Sequence, residues 1–261
     1  MDTPAYQLDQ LLTGYRMPHG RQVVSLGTAT AELRAGQLAC LTGTNGCGKS
    51  TLLRTMAGLQ PPLGGSVRLM GRPLQAYSLR QLARTVGVVL TDSLPEGALT
   101  VADVVALGRQ PHTGFWGRMS LEDERIVEEA MERTGILPLA HRRLATLSDG
   151  ERQKVLLAKV LAQQTRVVLL DEPLCFLDFP AKVGMLSLLA RLAHEEGLAV
   201  LLSIHDLELA LRQADVMWVV HPREGLVCAP PREALAQGFL DHLLKPAGIH
   251  PPTLSNLPFS A

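Results

Sequence analysis

Four short runs along the chain are apolar at nearly every position: Leu38–Thr42, Val167–Leu170, Ala199–Ile204 and Val216–Val220. A strand with one face in water alternates apolar and polar residues, whereas a strand covered on both faces need not. The runs therefore predict buried strands of a mainly parallel sheet flanked by helices, an α/β layout, with no internal repeat. The stretch from about residue 92 to residue 150 reads differently. Val101–Gly108 has a helical pattern, and Ser120 opens a second helix with Asp123 placed to complete a capping box. Ile126, Val127, Ala130 and Met131 form the apolar stripe of that helix, and Gly135 its stop. Two helices in succession predict a helical insertion within the core. Gly58, Pro61, Pro62, Gly64, Gly65, Gly71 and Pro73 mark turns around short strands. After Lys245 the chain contains several prolines and is expected to be loosely ordered.

Composition narrows the classes. The 261 residues are 46% hydrophobic and 19% charged, a globular balance with enough chain for a substantial core. Lys and Arg total 25, as do Asp and Glu, so the net charge is zero, which disfavours a strongly basic nucleic-acid binder. No run approaches the ~18 consecutive apolar residues of a membrane span. Met1–Gln10 lacks a basic region followed by an apolar stretch, so no secretory signal is expected. Cys40, Cys47, Cys175 and Cys228 are scattered and form no CxxC pair, which predicts a reducing setting without disulfides or a zinc site.

Gly43-Thr44-Asn45-Gly46-Cys47-Gly48-Lys49-Ser50 fits G-x-x-x-x-G-K-[ST], between a predicted strand and a predicted helix, Thr51–Leu59. Glycines let backbone N–H groups curl around phosphates, and the helix N-terminus adds a dipole that favours anions. Lys49 is placed to reach the β- and γ-phosphates and the Ser50 hydroxyl to ligate Mg²⁺. Cys47 reads as a small residue tolerated in a tight turn. The run Val167–Leu170 ends in Asp171 and Glu172. At the C-terminal edge of a parallel sheet beside a phosphate loop, Asp171 suits the metal and Glu172 suits polarising the attacking water. Leu147-Ser148-Asp149-Gly150-Glu151-Arg152-Gln153 precedes a helical stretch, with Ser148 as N-cap; alone it reads as a capped helix start.

In this order and spacing the three motifs resemble the ATP-binding subunits of ABC transporters, over nearly the whole chain. The resemblance implies a P-loop NTPase fold as a single domain over residues 1–261: a mainly parallel core sheet, a small antiparallel β part and a helical subdomain at about residues 92–150. Leu147–Glu151 looks like the family's signature. ATP and Mg²⁺ are implied, held between two copies packed head to tail. Ser148, Gly150 and Glu151 would then cap the nucleotide on the phosphate loop of the other copy, although Asp149 and Glu151 stand where the family most often has glycine and glutamine. Gly43, Asn45, Gly46, Cys47, Gly48, Lys49, Ser50 and Thr51 would line the nucleotide, with Tyr15 stacking on adenine unless it is a plain surface tyrosine. Asp178 matches the dimer contact after the acidic pair, or else a turn aspartate. His205, after the third apolar run, looks like the switch histidine that senses the γ-phosphate. At the end of the predicted strand Thr85–Leu90 the family has a glutamine on Mg²⁺; here Thr91 aligns, or Asp92 if the register shifts by one.

Leu99–Arg109, with Pro111, Trp116-Gly117-Arg118 and Ser120, resembles the importer branch for iron-siderophores, haem and cobalamin. That implies a membrane permease as direct partner, a periplasmic or surface substrate-binding protein as indirect partner, and a peripheral place on the cytoplasmic face of the inner membrane. Phe115 and Trp116 either face the permease or pack inside the subdomain. Two other readings remain: a soluble ATPase of the same family in DNA repair or translation, and a non-catalytic nucleotide-binding scaffold.

Overall fold

The computed structural model describes residues 3–17, 21–90, 98–114 and 117–244. Thr91, Asp92, Phe115, Trp116 and the proline-containing tail lie outside the described residues. The strands are β1 (Tyr6–Arg16), β2 (Gln22–Leu33), β3 (Leu38–Thr42), β4 (Gly64–Leu69), β5 (Arg72–Pro73), β6 (Val86–Val89), β7 (Val167–Leu170), β8 (Ala199–Ser203), β9 (Val216–His221) and β10 (Gly225–Ala229). The helices that matter to the site are α1 (Lys49–Met56), α2 (Leu79–Ala83), α3 (Val101–Ala106), α4 (Leu121–Arg133), α5 (Asp149–Ala162), α6 (Phe179–Glu196) and α7 (Leu207–Gln213).

The strands form one continuous mixed sheet in the order β5-β4-β1-β2-β10-β9-β3-β8-β7-β6. β9, β3, β8, β7 and β6 are mutually parallel. The antiparallel arm, β5, β4, β1 and β2, joins them through β10, which pairs antiparallel with β9 and meets β2 at Leu226 and Ala29. The continuously apolar runs have the physical cause the pattern predicts. Alternate residues of β3, β7 and β8 feed two different cores. Leu38, Cys40, Val168, Leu170, Val200 and Leu202 face the α5–α7 side, while Ala39, Leu41, Val167, Leu169, Ala199 and Leu201 face α1 and the antiparallel arm. A polar residue at any of these positions would be buried on one side or the other.

Between β6 and β7 the described residues hold helices and no strand. Ser120 and Asp123 make the capping box of α4, and Ile126, Val127, Ala130 and Met131 are all buried beneath it. Arg109 pins this segment to the core. Although 5% exposed, its guanidinium meets Asp123 Oδ1 at 2.8 Å, the Ala162 carbonyl at 2.6 Å and Gln164 Oε1 at 3.0 Å. Arg80 on α2 and Arg84 at its C-cap both donate to the Pro111 carbonyl, at 3.0 and 2.9 Å. Among the described residues no helix is long and apolar enough to cross a membrane.

Candidate nucleotide-binding and hydrolysis site

Parallel strands place all their C-terminal ends at one edge, and loops leaving that edge are where α/β sheets build sites. Strand order then fixes the neighbours. β8 lies between β3 and β7, so the segment after β8 falls between the loop after β3 and the acids after β7. The loop after β3, Gly43–Gly48, leads directly into α1, which starts at Lys49 rather than at Thr51 and ends at Met56. Gly48 sits at its N-cap with φ +101, and a Cβ there would come within 2.8 Å of the Ser25 carbonyl oxygen, so only glycine closes this turn. Gly43 is equally tight: a Cβ would lie 2.7 Å from Cys47 Sγ and 2.9 Å from Val220 Cβ. Cys47 thus packs beneath the loop against the core, in keeping with a small residue in a tight turn. Thr44, Asn45, Gly46 and Ser50 are exposed, whereas Lys49 is buried apart from 5% of its surface. Its ammonium donates to the carbonyls of Gly43 and Thr44, at 3.0 and 3.2 Å, folding the lysine back over the loop it belongs to.

Tyr15 is contributed by the antiparallel arm. It is 48% exposed, and its hydroxyl lies 3.0 Å from Thr51 Oγ1 on the first turn of α1. It is therefore half-exposed beside the end of the phosphate loop, paired with the exposed Val23 of β2.

The acids form the second group. Leu170 pairs with Leu202, so Asp171 emerges level with Ser203. The fully buried Ser203 hydroxyl donates to Asp171 Oδ1 at 2.8 Å and accepts the Glu172 backbone N–H at 2.7 Å. One side chain thus fixes both acids. Sequence reading passed over Ser203; the available signal was a hydroxyl inside an apolar strand, which demands a partner. Glu172 follows in a left-handed conformation, φ +51. Its Oε1 lies 2.7 Å from His205 Nε2, and its Oε2 accepts from the Cys175 thiol at 3.1 Å. A carboxylate partner requires the His205 tautomer with its proton on Nε2. Partial burial works against the Glu172 charge, but the bonds from His205 and Cys175 and the electrostatic influence of His205 and Lys49 outweigh it, so its carboxyl lies below the ordinary value. The group is an anion at neutral pH, the form a general base needs.

The signature residues stand apart, at the N-terminus of α5. Ser148 Oγ accepts the Glu151 N–H at 3.3 Å, while Glu151 Oε2 accepts the Ser148 N–H at 2.8 Å and its hydroxyl at 2.9 Å. These bonds, the Ser148 backbone first, hold the Glu151 carboxyl below its usual range. Gly150 touches the segment after the acids: a Cβ there would stand 3.0 Å from Leu177 Cδ2. Asp178 N-caps α6, its Oδ1 accepting the Ala181 N–H at 3.0 Å. Phe176 and Phe179 flank it, 76% and 62% exposed.

The structure therefore brings Asp171, Glu172, Ser203 and His205 together at the strand edge that also carries Lys49. It sets Tyr15 beside Thr51 and leaves Ser148, Gly150 and Glu151 on the helical segment. Fold and loop define a P-loop nucleotide-binding protein. A family model described as ABC transporter matches residues 26–175. The chain is 38% identical over 237 residues to the ferric enterobactin transport ATP-binding protein of Escherichia coli K12, covering 90% of this chain and 85% of that protein. Over 211 residues it is 41% identical to the achromobactin transport ATP-binding protein of Dickeya dadantii 3937, covering 80% and 78%. A solved metal-chelate type ABC transporter in an inward-facing conformation superposes with a TM-score of 0.76 at 25% identity, over 92% of this chain and 89% of that one. The chain belongs to the ABC transporter family.

Proposed function

We propose that this chain is the ATP-binding and ATP-hydrolysing subunit of an importer for iron-siderophores, haem or cobalamin. The observation that carries the hydrolytic part is the Glu172 carboxylate, ionised and held by His205 at the strand edge shared with the phosphate loop. The transported class is supported by the kinship with siderophore-importer subunits.

In this reading Asn45, Gly46 and Gly48 offer backbone N–H groups to the phosphates, and Lys49 swings from the loop carbonyls onto the β- and γ-phosphates. Tyr15 supports the adenine. Glu172 accepts the proton of the attacking water, and His205 keeps the carboxylate aimed while sensing the γ-phosphate. Ser50 and Asp171 supply the protein ligands for Mg²⁺. The donors fit that ion: a hydroxyl and a carboxylate are hard oxygen ligands, and the Ser203 hydroxyl orients Asp171. Mg²⁺ supplies charge neutralisation for the developing phosphate oxygens.

Ser148, Gly150 and Glu151 act on the nucleotide of a second copy, packed head to tail. Gathering the γ-phosphate between copies stabilises the closed dimer, and hydrolysis releases it, a population shift set by differential binding. The dimer sits at the cytoplasmic face of the inner membrane on an integral permease, which receives cargo from a substrate-binding protein. A non-catalytic scaffold would have no use for a paired Glu172 and His205. Affinity capture of the chain from membranes of its native cell, followed by mass spectrometry, tests the assignment. A polytopic permease is expected; a soluble nucleic-acid factor without any permease would overturn it.

A further inference from the structure

The turn carrying Glu172 is closed twice by one residue. The Cys175 N–H donates to the Glu172 carbonyl at 3.1 Å, and the Cys175 thiol donates to Glu172 Oε2. The backbone at both Glu172 and Phe176 is left-handed, φ +51 and +67, which residues with side chains adopt only when their surroundings hold them there. At the far end of the turn, Leu177 is buried against Gly150. His205 meanwhile engages the other carboxylate oxygen, Oε1. Glu172 therefore has one donor on each oxygen.

We propose that Cys175 is a positioning residue for ATP hydrolysis: its S–H holds Glu172 at Oε2 and, with His205 at Oε1, leaves the carboxylate one orientation. The proposal rests on the reading of Glu172 as general base. A base must lie within hydrogen-bond reach of the water it deprotonates, and a carboxylate tethered at one oxygen only still swings about its terminal bond. The thiol is the link that carries the anchoring of the turn into the reactive group.

Two observations separate this role from the alternatives for a cysteine. Cys175 belongs to neither hydrophobic core and is only half-buried, so its packing contribution is small. Burial, followed by the bond to Glu172, raises its pKa to about 11. At neutral pH it is therefore an S–H donor, and the thiolate that oxidation or alkylation requires is scarce.

Steady-state phosphate release by the full chain, measured against ATP concentration, tests the role with Cys175→Ala, Cys175→Ser and Glu172→Gln side by side. Cys175→Ala should lower kcat roughly five- to tenfold, the scale of one hydrogen bond felt in the transition state, with KM for ATP and Tm unchanged. Cys175→Ser keeps a donor and should recover kcat to within about twofold of wild type. With Glu172→Gln inactive, a wild-type kcat in Cys175→Ala, or a Cys175→Ser variant as slow as Cys175→Ala, would overturn the role of Cys175 and leave that of Glu172 standing. Free turnover by Glu172→Gln would remove the general base and the role of Cys175 with it.

Discussion

His205 Nε2 lies 2.7 Å from Glu172 Oε1, although 33 positions separate the two residues in the sequence. Adjacent parallel strands make the contact. β7 and β8 end at the same edge, and Glu172 and His205 each leave within two residues of the last strand position. His205 is 44% exposed and Glu172 27%, so the pair faces the surface where a γ-phosphate would arrive. Replacing His205 by Ala should lower kcat by about tenfold or more while ATP still binds, because the base keeps its charge and loses its alignment. Loss of ATP affinity with kcat unchanged would instead assign His205 to ground-state binding.

In the proposed function Lys49 carries the binding side. Its ammonium already sits on the carbonyls of Gly43 and Thr44, so it both shapes the loop and stands ready to leave it for phosphate. Lys49→Ala should weaken ATP binding about tenfold or more, since charge-assisted bonds to phosphate are the strong ones. Titration with a fluorescent ATP analogue measures this directly, and unchanged affinity would move phosphate recognition elsewhere.

Ser203 joins the two acids. Ser203→Ala removes the shared partner of the Asp171 carboxylate and the Glu172 N–H inside a fully buried strand, at a cost of about 1–3 kcal/mol. Denaturant unfolding should show that loss. The Mg²⁺ concentration giving half-maximal hydrolysis should also rise, because Asp171 loses its orientation. Loss of stability with an unchanged Mg²⁺ requirement would make Ser203 purely structural.

Much of this was legible before any coordinates. The phosphate loop and the acids after β7 announce themselves because their chemistry needs fixed residue types at fixed offsets from apolar strands; the histidine after β8 was picked out by resemblance. The boundaries of β3, β6, β7, β8 and β9 were read to within a residue, since burial on both faces leaves little room for polar positions, whereas β1, β2, β4, β5 and β10 were given no boundaries. Ser203, Cys175 and Arg109 were not legible in these roles, because each depends on contacts between distant segments. Ser203 looked like one polar interruption in a strand. Arg109 looked like part of a branch-specific motif, yet in the structure it is a buried pin between Asp123, Ala162 and Gln164. Tyr15 was found by resemblance; its bond to Thr51 joins the antiparallel arm to α1, a contact between distant segments that no local pattern discloses.

The Arg109 pin predicts how the helical segment responds to acid. The Ser120 backbone, the Ser120 hydroxyl and then the Arg109 guanidinium hold the Asp123 carboxyl down at about 2. A carboxylate whose folded pKa is depressed contributes stability above its unfolded value, about 3.9. That contribution is lost as the pH falls from about 4 toward about 2. Asp123→Ala removes both the capping-box partner of Ser120 and the counter-ion of a buried arginine, and should cost about 3 kcal/mol near neutral pH. Its denaturation midpoint should then fall less than that of the wild type over the acid window; a parallel decline would deny the pair its part in stability.

The central claim is that Glu172 removes the proton from the attacking water. It is tested most directly by phosphate release and ATP binding in the wild type and in Glu172→Gln, measured together with Mg²⁺ present. The account predicts hydrolysis slower by about a hundredfold or more, the scale of general-base catalysis, with ATP bound as tightly as before. Turnover at the wild-type rate in Glu172→Gln would contradict it.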